Sequence, residues 1–148
     1  MARRTKSAKS GIRIENLGAV TRALRQLPGD ISDELKTASG EIATRVASQA
    51  RMPAGARRQS ARAAETLRVR KGTTPSIALG SAAVPFALGA EFGGGRRPTT
   101  QQFPPWRGSG KTAGYFLYPT VRTLEKWIGE TYLEALDDAL ATAERRGN

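Results

Sequence analysis

The clearest hydrophobic pattern in the chain predicts a long helix that begins at Asp30. Apolar residues recur there at spacings of three and four, which places them on one stripe of an α-helix. The stripe consists of Ile31, Leu35, Ala38, Ile42, Val46 and Ala50. We expect Asp30 to cap this helix, with Asp33 in its first turn and Arg51 near its C-terminus, where the helix dipole favours each charge. Met52-Pro53-Ala54-Gly55 is expected to break it.

A second long helix is predicted from Thr120 almost to the end of the chain. Its apolar face is broad and consists of Val121, Leu124, Trp127, Ile128, Thr131, Tyr132, Ala135, Leu136, Ala139 and Leu140. The rest of its surface is acidic and carries Glu125, Glu130, Glu134, Asp137 and Asp138. Arg145 and Arg146 close the helix with the charge that a C-terminus favours.

Shorter elements are predicted before and between these helices. Thr66–Arg70 and Ser76–Gly80 alternate between apolar and polar residues around a turn, which predicts a β-hairpin. Arg57–Glu65 could form a short helix. Gly11–Glu15 alternates as a short strand does, and Asn16 can cap a helix that ends at Pro28.

The two long helices and the hairpin are expected to share one core. Leu35, Ile42 and Val46 should pack against Leu124, Ile128 and Leu136, while Leu67, Val69, Ile77 and Leu79 form the sheet side. The predicted fold class is therefore α+β: a small antiparallel sheet packed against two long amphipathic helices, with a long Gly/Pro-rich basic loop.

The stretch Val84–Tyr118 differs in pattern from the rest of the chain. Phe86 and Phe92 near its start are expected to be buried around a helical turn. Tyr115–Tyr118 at its end is expected to form a strand that Pro119 stops. Residues 93–114 between them are rich in Gly, Pro, Thr and Gln and are predicted to form an extended loop. Structureless insertions of this length inside a compact domain are usually functional or disordered.

Length and composition limit the protein to one domain. A chain of 148 residues holds one core comfortably but not two, so we expect a basic flexible arm at 1–10 and a single α+β domain at 11–146. Cys and His are absent, which excludes disulfides, thiolate nucleophiles, Cys/His zinc sites and triads that need imidazole. No apolar run approaches the roughly 18 residues of a membrane span, and Ala2–Lys9 lacks the apolar core of a secretory signal. We expect a soluble protein with no cofactor and no membrane partner.

Three motifs could carry chemistry, and each has a simpler explanation. The carboxylates of the last helix could bind a metal, but without His or a second acidic cluster they are expected to form a solvated face. Glu91 could be a catalytic acid, but a structural carboxylate that pairs with an Arg or accepts backbone N–H bonds fits its apolar surroundings better. Gly108–Thr112 matches only the end of a phosphate-binding loop and is expected to be a flexible turn. The chain is therefore not expected to be an enzyme.

Charge is the strongest compositional signal. The chain has 24 Lys and Arg against 13 Asp and Glu, a formal net charge of +11. The basic residues form three groups, at Ala2–Lys9, Arg51–Lys71 and Arg96–Arg122. The middle group contains no aromatic residue, so on a nucleic acid it would contact phosphates rather than read bases. An equally physical alternative pairs the basic groups with the acidic last helix of a neighbouring copy, which suits head-to-tail rings.

Several of these features together resemble one protein family. Val84-Pro85-Phe86-Ala87 is followed by Glu91-Phe92-Gly93, by a Pro-rich loop, and by Tyr115-Phe116-Leu117-Tyr118-Pro119 before the last helix. This order is similar to that of the tail-component family of long-tailed double-stranded DNA bacteriophages, whose members are tail-completion or head-to-tail joining proteins of the virion neck. The resemblance spans about Gly11–Arg145. It implies a non-catalytic α+β domain whose structural motif consists of Phe86, Glu91, Phe92, Gly93, Tyr115, Phe116, Tyr118 and Pro119.

The same resemblance implies a structural role in the virion. The expected assembly is a homo-oligomeric ring, a hexamer or a ring of similar size, that contacts neighbouring neck and tail proteins and the packaged double-stranded DNA. Assembly would take place in the host cytoplasm. A tail-terminator ring protein is the alternative within virion architecture, and a basic nucleic-acid-binding protein without sequence specificity is the alternative from another class.

The extended loop departs from the family pattern in its triple glycine and its Phe-Pro-Pro-Trp run. Exposed aromatic residues beside prolines are costly to leave in water and dock on a neighbour with little loss of entropy. The predicted interface therefore consists of Arg96, Arg97, Phe103, Pro104, Pro105, Trp106, Arg107 and Lys111. The alternative is that Trp106 folds back onto its own domain.

Overall fold

A computed structural model of the chain describes residues 26–94 and 103–147. Within them lie the helices α1 (Gly29–Ala54), α2 (Arg58–Glu65), α3 (Ala87–Phe92) and α4 (Leu117–Gly147). Two short strands, β1 (Arg68–Val69) and β2 (Ile77–Ala78), lie between α2 and α3. The architecture is α+β. The predicted arm at 1–10, the strand Gly11–Glu15 and the helix beginning at Asn16 lie outside the described residues, so the extent of the single domain stays a prediction.

The long helices α1 and α4 pack side by side in opposite directions. Near the start of α1, Ile31 and Leu35 pack against Leu136 and Ala139 in the second half of α4. Further along α1, Ile42 and Val46 pack against Ile128, with Val121 and Leu124 beside it. The predicted helix-to-helix core is therefore confirmed. Antiparallel packing also brings the first turn of α1 to the last turn of α4, where the Arg146 guanidinium donates to the Asp30 carboxylate at 2.7 Å.

A second core joins α1 to the shorter elements. It is built largely from alanines of α1, α2 and α3, with Leu67 and Phe116: Ala47, Ala50, Ala54, Ala63, Ala64, Ala87 and Ala90. Small side chains let the short helices lie close to α1, and the buried ring of Phe116 fills the space between them. Ile77 and Leu79 pack against this core from the sheet side, as predicted.

The predicted hairpin is confirmed as a two-stranded antiparallel sheet. Arg68 pairs with Ala78 and Val69 pairs with Ile77, so each strand contributes only two residues to the ladder. Leu67 is buried while Arg68 and Arg70 are exposed. A backbone hydrogen bond from Arg70 to Ser76 continues the hairpin beyond the ladder.

The helix α1 ends at Ala54, within the segment Met52–Gly55 that was predicted to break it, and the Ala54 side chain is buried in the second core. Two other local predictions are wrong. Residues Tyr115–Tyr118 do not form a strand, because α4 begins at Leu117 rather than at Thr120. Phe86 and Phe92 flank a helical turn as predicted, but both are only half-buried.

None of the helices within the described ranges has the length and apolar character needed to cross a bilayer.

Candidate assembly interface

A buried carboxylate organises the junction between the extended loop and the last helix. Glu91, in α3, is 0% exposed. Its Oε2 accepts the backbone N–H groups of Phe116 at 3.2 Å and Leu117 at 2.9 Å, and its Oε1 accepts that of Tyr118 at 2.9 Å. Two structural roles were expected for Glu91: pairing with an Arg, or accepting backbone N–H bonds. The structure shows the second role.

These three bonds account for the N-terminal donors of α4. The first N–H groups of a helix have no partner within it and are usually capped by a local Ser, Thr, Asp or Asn. Here Phe116 precedes the helix and cannot cap it with its side chain, so Glu91 does so from another element. Pro119 has no N–H to satisfy, and Thr120 N already bonds Phe116 O within the helix. The proline therefore suits the first turn of a helix rather than the end of a strand.

One glycine makes room for this cap and another makes room for the loop beside it. A side chain at Gly114 would collide with Glu91 Oε1, and a side chain at Gly93 would collide with the backbone oxygens of Pro104 and Pro105. Both glycines also have positive φ angles, 73° and 85°, which residues with a Cβ rarely adopt. Burial raises the pKa of the Glu91 carboxyl above its ordinary value, while its three N–H donors and the nearby Arg122 act in the opposite direction.

Hydrogen bonds join the described part of the extended loop to the rest of the domain and also connect residues within the loop. Arg107 N donates to Phe92 O of α3 at 2.6 Å, and Gly114 N donates to Arg107 O within the loop at 2.7 Å. The hydroxyl of Tyr115 donates to Pro105 O at 2.7 Å. These hydrogen bonds fix the positions of Pro105 and Arg107, and hence the backbone position of Trp106 between them. Arg96 and Arg97, predicted for the interface, lie outside the described residues.

The Phe-Pro-Pro-Trp run is divided between the interior and the surface. Phe103 is half-buried and lies so close to Gly89 that a side chain there would overlap its ring. Pro104 is buried, whereas Pro105 is exposed and Trp106 is 60% exposed. The predicted interface therefore has to be narrowed, because Phe103 and Pro104 pack against their own chain.

Trp106 belongs to an exposed apolar strip. Its ring centroid lies 6.1 Å from that of Phe92, which in turn lies 5.5 Å from that of Tyr118. Leu88 is 61% exposed and precedes Phe92 by four residues on α3, so the two are neighbours on one helix face. We call Leu88, Phe92 and Trp106 the apolar strip. Aromatic residues in such a position are typical of interface centres.

The end of the molecule that carries this strip is strongly basic. The name basic end refers here to the cations of 51–68 and 103–122, which are Arg51, Arg57, Arg58, Arg62, Arg68, Arg107, Lys111 and Arg122. Glu65 is the one exposed carboxylate in those two ranges. Arg70 and Lys71 belong to the hairpin, whose Thr73 carbonyl accepts the hydroxyl of Tyr132 in the middle of α4. Arg57 and Arg107 both lie over the ring of Tyr115, 5.3 and 4.9 Å from its centroid.

The cations of the basic end form no salt bridge with any carboxylate of the described ranges. The salt bridges found there join Lys36 to Asp33, Lys126 to Glu130 and Arg146 to Asp30. Instead, Arg122 donates to the carbonyls of Lys111 and Thr112. The charges of the basic end are therefore not balanced by ion pairs with carboxylates of the described ranges.

The opposite end of the helix pair is acidic. The name acidic end refers here to the exposed carboxylates of the first half of α1 and of α4 from Glu130 onward: Asp30, Asp33, Glu34, Glu41, Glu130, Glu134, Asp137, Asp138 and Glu144. Sequence reasoning placed negative charge on the last helix, but it did not find the contribution of α1. Antiparallel packing brings the two sets together, and the sequence signal for this was the acidic first half of the predicted helix.

The acidic residues and the Gly108–Thr112 segment can be compared with the sites that they resemble. Within 26–94 and 103–147, no three carboxylates group so as to hold a metal ion. Gly110, Lys111 and Thr112 form a turn with positive φ angles, and no helix begins after it until Leu117. A phosphate-binding loop needs a helix at that point. The carbonyls of this turn bind Arg122 instead.

Comparison with known proteins provides no relative from which a role could be transferred. No protein family model matches the chain, and no match was found among curated proteins or solved structures.

Proposed function

We propose that the protein is a structural virion protein of a phage head-to-tail connector, forming a ring that joins the tail to the DNA-filled head. One observation carries the proposal. Charges of opposite sign lie at the two ends of the helix pair. The cations of the basic end form no salt bridge in the described ranges, and that end also presents the apolar strip. A subunit of this kind has two different faces that can bind each other.

The physical argument concerns the symmetry of the contact. When one face of a subunit binds a different face of the next, the contact is heterologous and generates a ring if the rotation closes. Opposite potentials on the two faces steer the encounter and disfavour binding of like faces. Apolar side chains at the centre of such a contact supply most of its binding energy. The basic end provides the charged groups for such a contact, and its apolar strip provides the apolar side chains.

The long Gly/Pro-rich basic loop, 93–114, is the assembly element in this proposal, and the amphipathic helices α1 and α4 are its frame. Support comes from the hydrogen bonds of Arg107 and Tyr115, which hold Trp106 at the surface before any partner binds. A preorganised aromatic residue loses little entropy on docking. The ring would be a hexamer or of similar size and would contact neighbouring neck and tail proteins in the virion. A tail-terminator ring uses the same contacts.

A second candidate function is nucleic-acid binding without sequence specificity. The absence of ion pairs at the basic end within the described ranges favours it, because phosphates would satisfy these cations equally well. Trp106 would then stack on a base of a single strand. In the connector the same cations could instead face packaged double-stranded DNA.

The test is Trp106→Ala, with Leu133→Ala as its matched control because Leu133 is also 60% exposed but lies outside the strip. We expect Trp106→Ala to keep the circular dichroism spectrum and melting temperature of the wild type while losing ring formation and the joining of tails to filled heads. Leu133→Ala should retain both.

The other outcomes separate the alternatives. A nucleic-acid-binding protein would assemble normally with Trp106→Ala, while Arg57→Gln and Arg107→Gln would each flatten the salt dependence of its DNA affinity. Unfolding of the isolated Trp106→Ala monomer would show that the loop belongs to the core and would refute the interface.

A further inference from the structure

A groove of about 360 Å³ lies between α1 and α4 on the acidic side of the molecule. Its apolar lining includes Ile42, Trp127 and Ala135, and its carboxylates are Glu41, Glu134 and Asp138. This volume falls in the range of about 300–1,000 Å³ that is usual for binding pockets. An apolar floor with acidic groups around it suits a segment that combines a large apolar side chain with a cation.

The charges of the groove are not balanced within the described part of the chain. No salt bridge there involves Glu41, Glu134 or Asp138. The one cation that lines the groove, Arg45, lies over the ring of Trp127 at 4.3 Å from its centroid. That contact demonstrates that a guanidinium group and an indole ring pack together in this groove. Three carboxylates against one cation leave the groove negatively charged.

The exposed part of the loop is chemically complementary to the groove. Pro105, Trp106 and Arg107 are consecutive and exposed, and Arg107 makes no salt bridge in the described ranges. We propose that Pro105–Arg107 of one copy enters this groove of a second copy. Trp106 then packs on the apolar floor, and the Arg107 guanidinium meets Glu134 and Asp138, which are neighbours four residues apart on α4. The inference rests on the proposed function, for which it names the two contacting surfaces.

A single copy cannot make this contact with itself. The Trp106 ring packs beside the Phe92 ring, which in turn packs beside the ring of Tyr118 in the first turn of α4. The groove begins at Trp127, about 14 Å further along the helix, and extends to Asp138, about 30 Å along it. Each copy therefore offers one loop and one groove at separate places, so the contact can repeat from copy to copy.

The absence of cysteine from the chain allows a direct distance test. Copies carrying only Pro105→Cys are mixed with copies carrying only Ala135→Cys and oxidised gently. We expect a disulfide-linked dimer, because the two Cα atoms must approach within about 7 Å for the bond to form. The matched control pairs Pro105→Cys with Leu140→Cys, a more exposed position on α4 outside the groove, and should not cross-link.

Charge reversal tests the polar half of the contact. Adding Arg107→Glu to the Pro105→Cys copy should abolish the cross-link. Adding Glu134→Arg and Asp138→Arg to the Ala135→Cys copy should then restore it. Each variant is checked by circular dichroism, so that loss of the cross-link is read only from folded protein.

The outcomes separate this inference from the proposed function. If the wild type forms rings but the Ala135→Cys pair does not cross-link, or cross-links no better than the control, the groove is not the docking site and the inference fails alone. If the groove pair cross-links and responds to charge reversal while the wild type never forms a ring, the contact is real and the connector function fails. Failure of charge reversal to restore the cross-link would refute the role of Arg107.

Discussion

The carboxylate of Glu91, which caps the N-terminus of α4, leads to the most specific prediction about stability. In Glu91→Gln the side chain keeps its size, so no cavity forms, but one carboxylate oxygen becomes an NH₂ group. The best orientation keeps the amide oxygen where Oε2 accepts Phe116 and Leu117. The NH₂ group then faces the N–H of Tyr118, donor against donor. A buried donor without a partner costs about 1–3 kcal/mol.

We therefore expect Glu91→Gln to lower the free energy of unfolding at neutral pH by about 1–3 kcal/mol. The corresponding fall in melting temperature is about 2–4 °C for each kcal/mol. The measurement is urea denaturation followed by circular dichroism, with Glu65→Gln as the matched control because Glu65 is exposed in α2. The control should stay within about 0.5 kcal/mol of the wild type. A Glu91→Gln variant as stable as the control would refute the capping role.

The same variant tests the protonation of Glu91. Because burial raises its pKa above the ordinary value of 4.5, the folded state holds this proton more tightly than the unfolded state does. The contribution of Glu91 to stability is then greatest below pH 4.5 and falls as the pH rises through the folded pKa. The stability difference between wild type and Glu91→Gln should narrow over that interval. A difference that widens with pH would mean that the N–H donors outweigh burial.

Two further predictions concern the helix pair. Ile42→Ala and Ile128→Ala should each lower the free energy of unfolding, measured by urea denaturation, by about 2–5 kcal/mol. The control Met52→Ala truncates an exposed residue of the same helix as Ile42 and should have little effect. Unchanged stability in both isoleucine variants would show that the buried faces are misassigned. Arg146→Gln should raise the pKa of Asp30 toward the ordinary value of 3.8, because the hydrogen bond from Arg146 is the main cause of the lowered pKa. NMR titration of the Asp30 carboxyl measures this pKa, and an unchanged pKa would contradict the contact between Arg146 and Asp30.

The regular elements could be predicted because their signals are local. The three-and-four spacing of Ile31, Leu35, Ile42 and Val46 is sufficient to orient α1, since burial of one helix stripe depends on periodicity alone. The hairpin followed from alternation on either side of a turn. These patterns also predicted which residues of α1 and α4 meet.

The wrong predictions concern segments whose local structure depends on a residue far away in the sequence. Tyr115–Tyr118 has the composition of a strand, yet Glu91, some 25 residues earlier, supplies the cap that lets α4 begin at Leu117. Asp30 was predicted to be the cap of α1, but Pro28 precedes that helix and no side chain caps it. The Asp30 carboxylate binds Arg146 instead, 116 residues away. Sequence patterns do not encode such pairs.

The candidate interface was only partly predictable for the same reason. Composition identified the loop and its aromatic residues, but it could not distinguish Phe103, which packs near Gly89, from Trp106, which is exposed. The direction of each side chain depends on backbone bonds such as that from Arg107 to Phe92. The groove between α1 and α4 was not predicted, because the spacing of apolar residues indicates which helix faces pack together but not the space left beside their contact.

If copies of this chain bind one another head to tail, the purified protein forms particles whose mass in solution reveals the number of copies. Sedimentation equilibrium should give a particle whose mass is a whole-number multiple of 15.9 kDa, larger than a dimer. That mass should fall toward the monomer as salt is raised to about 1 M, where charges are screened beyond about 3 Å. Addition of phage neck or tail components should increase the mass of the low-salt particle. A monomer of 15.9 kDa at every protein and salt concentration, unchanged by those components, would show that copies of the chain do not bind one another head to tail.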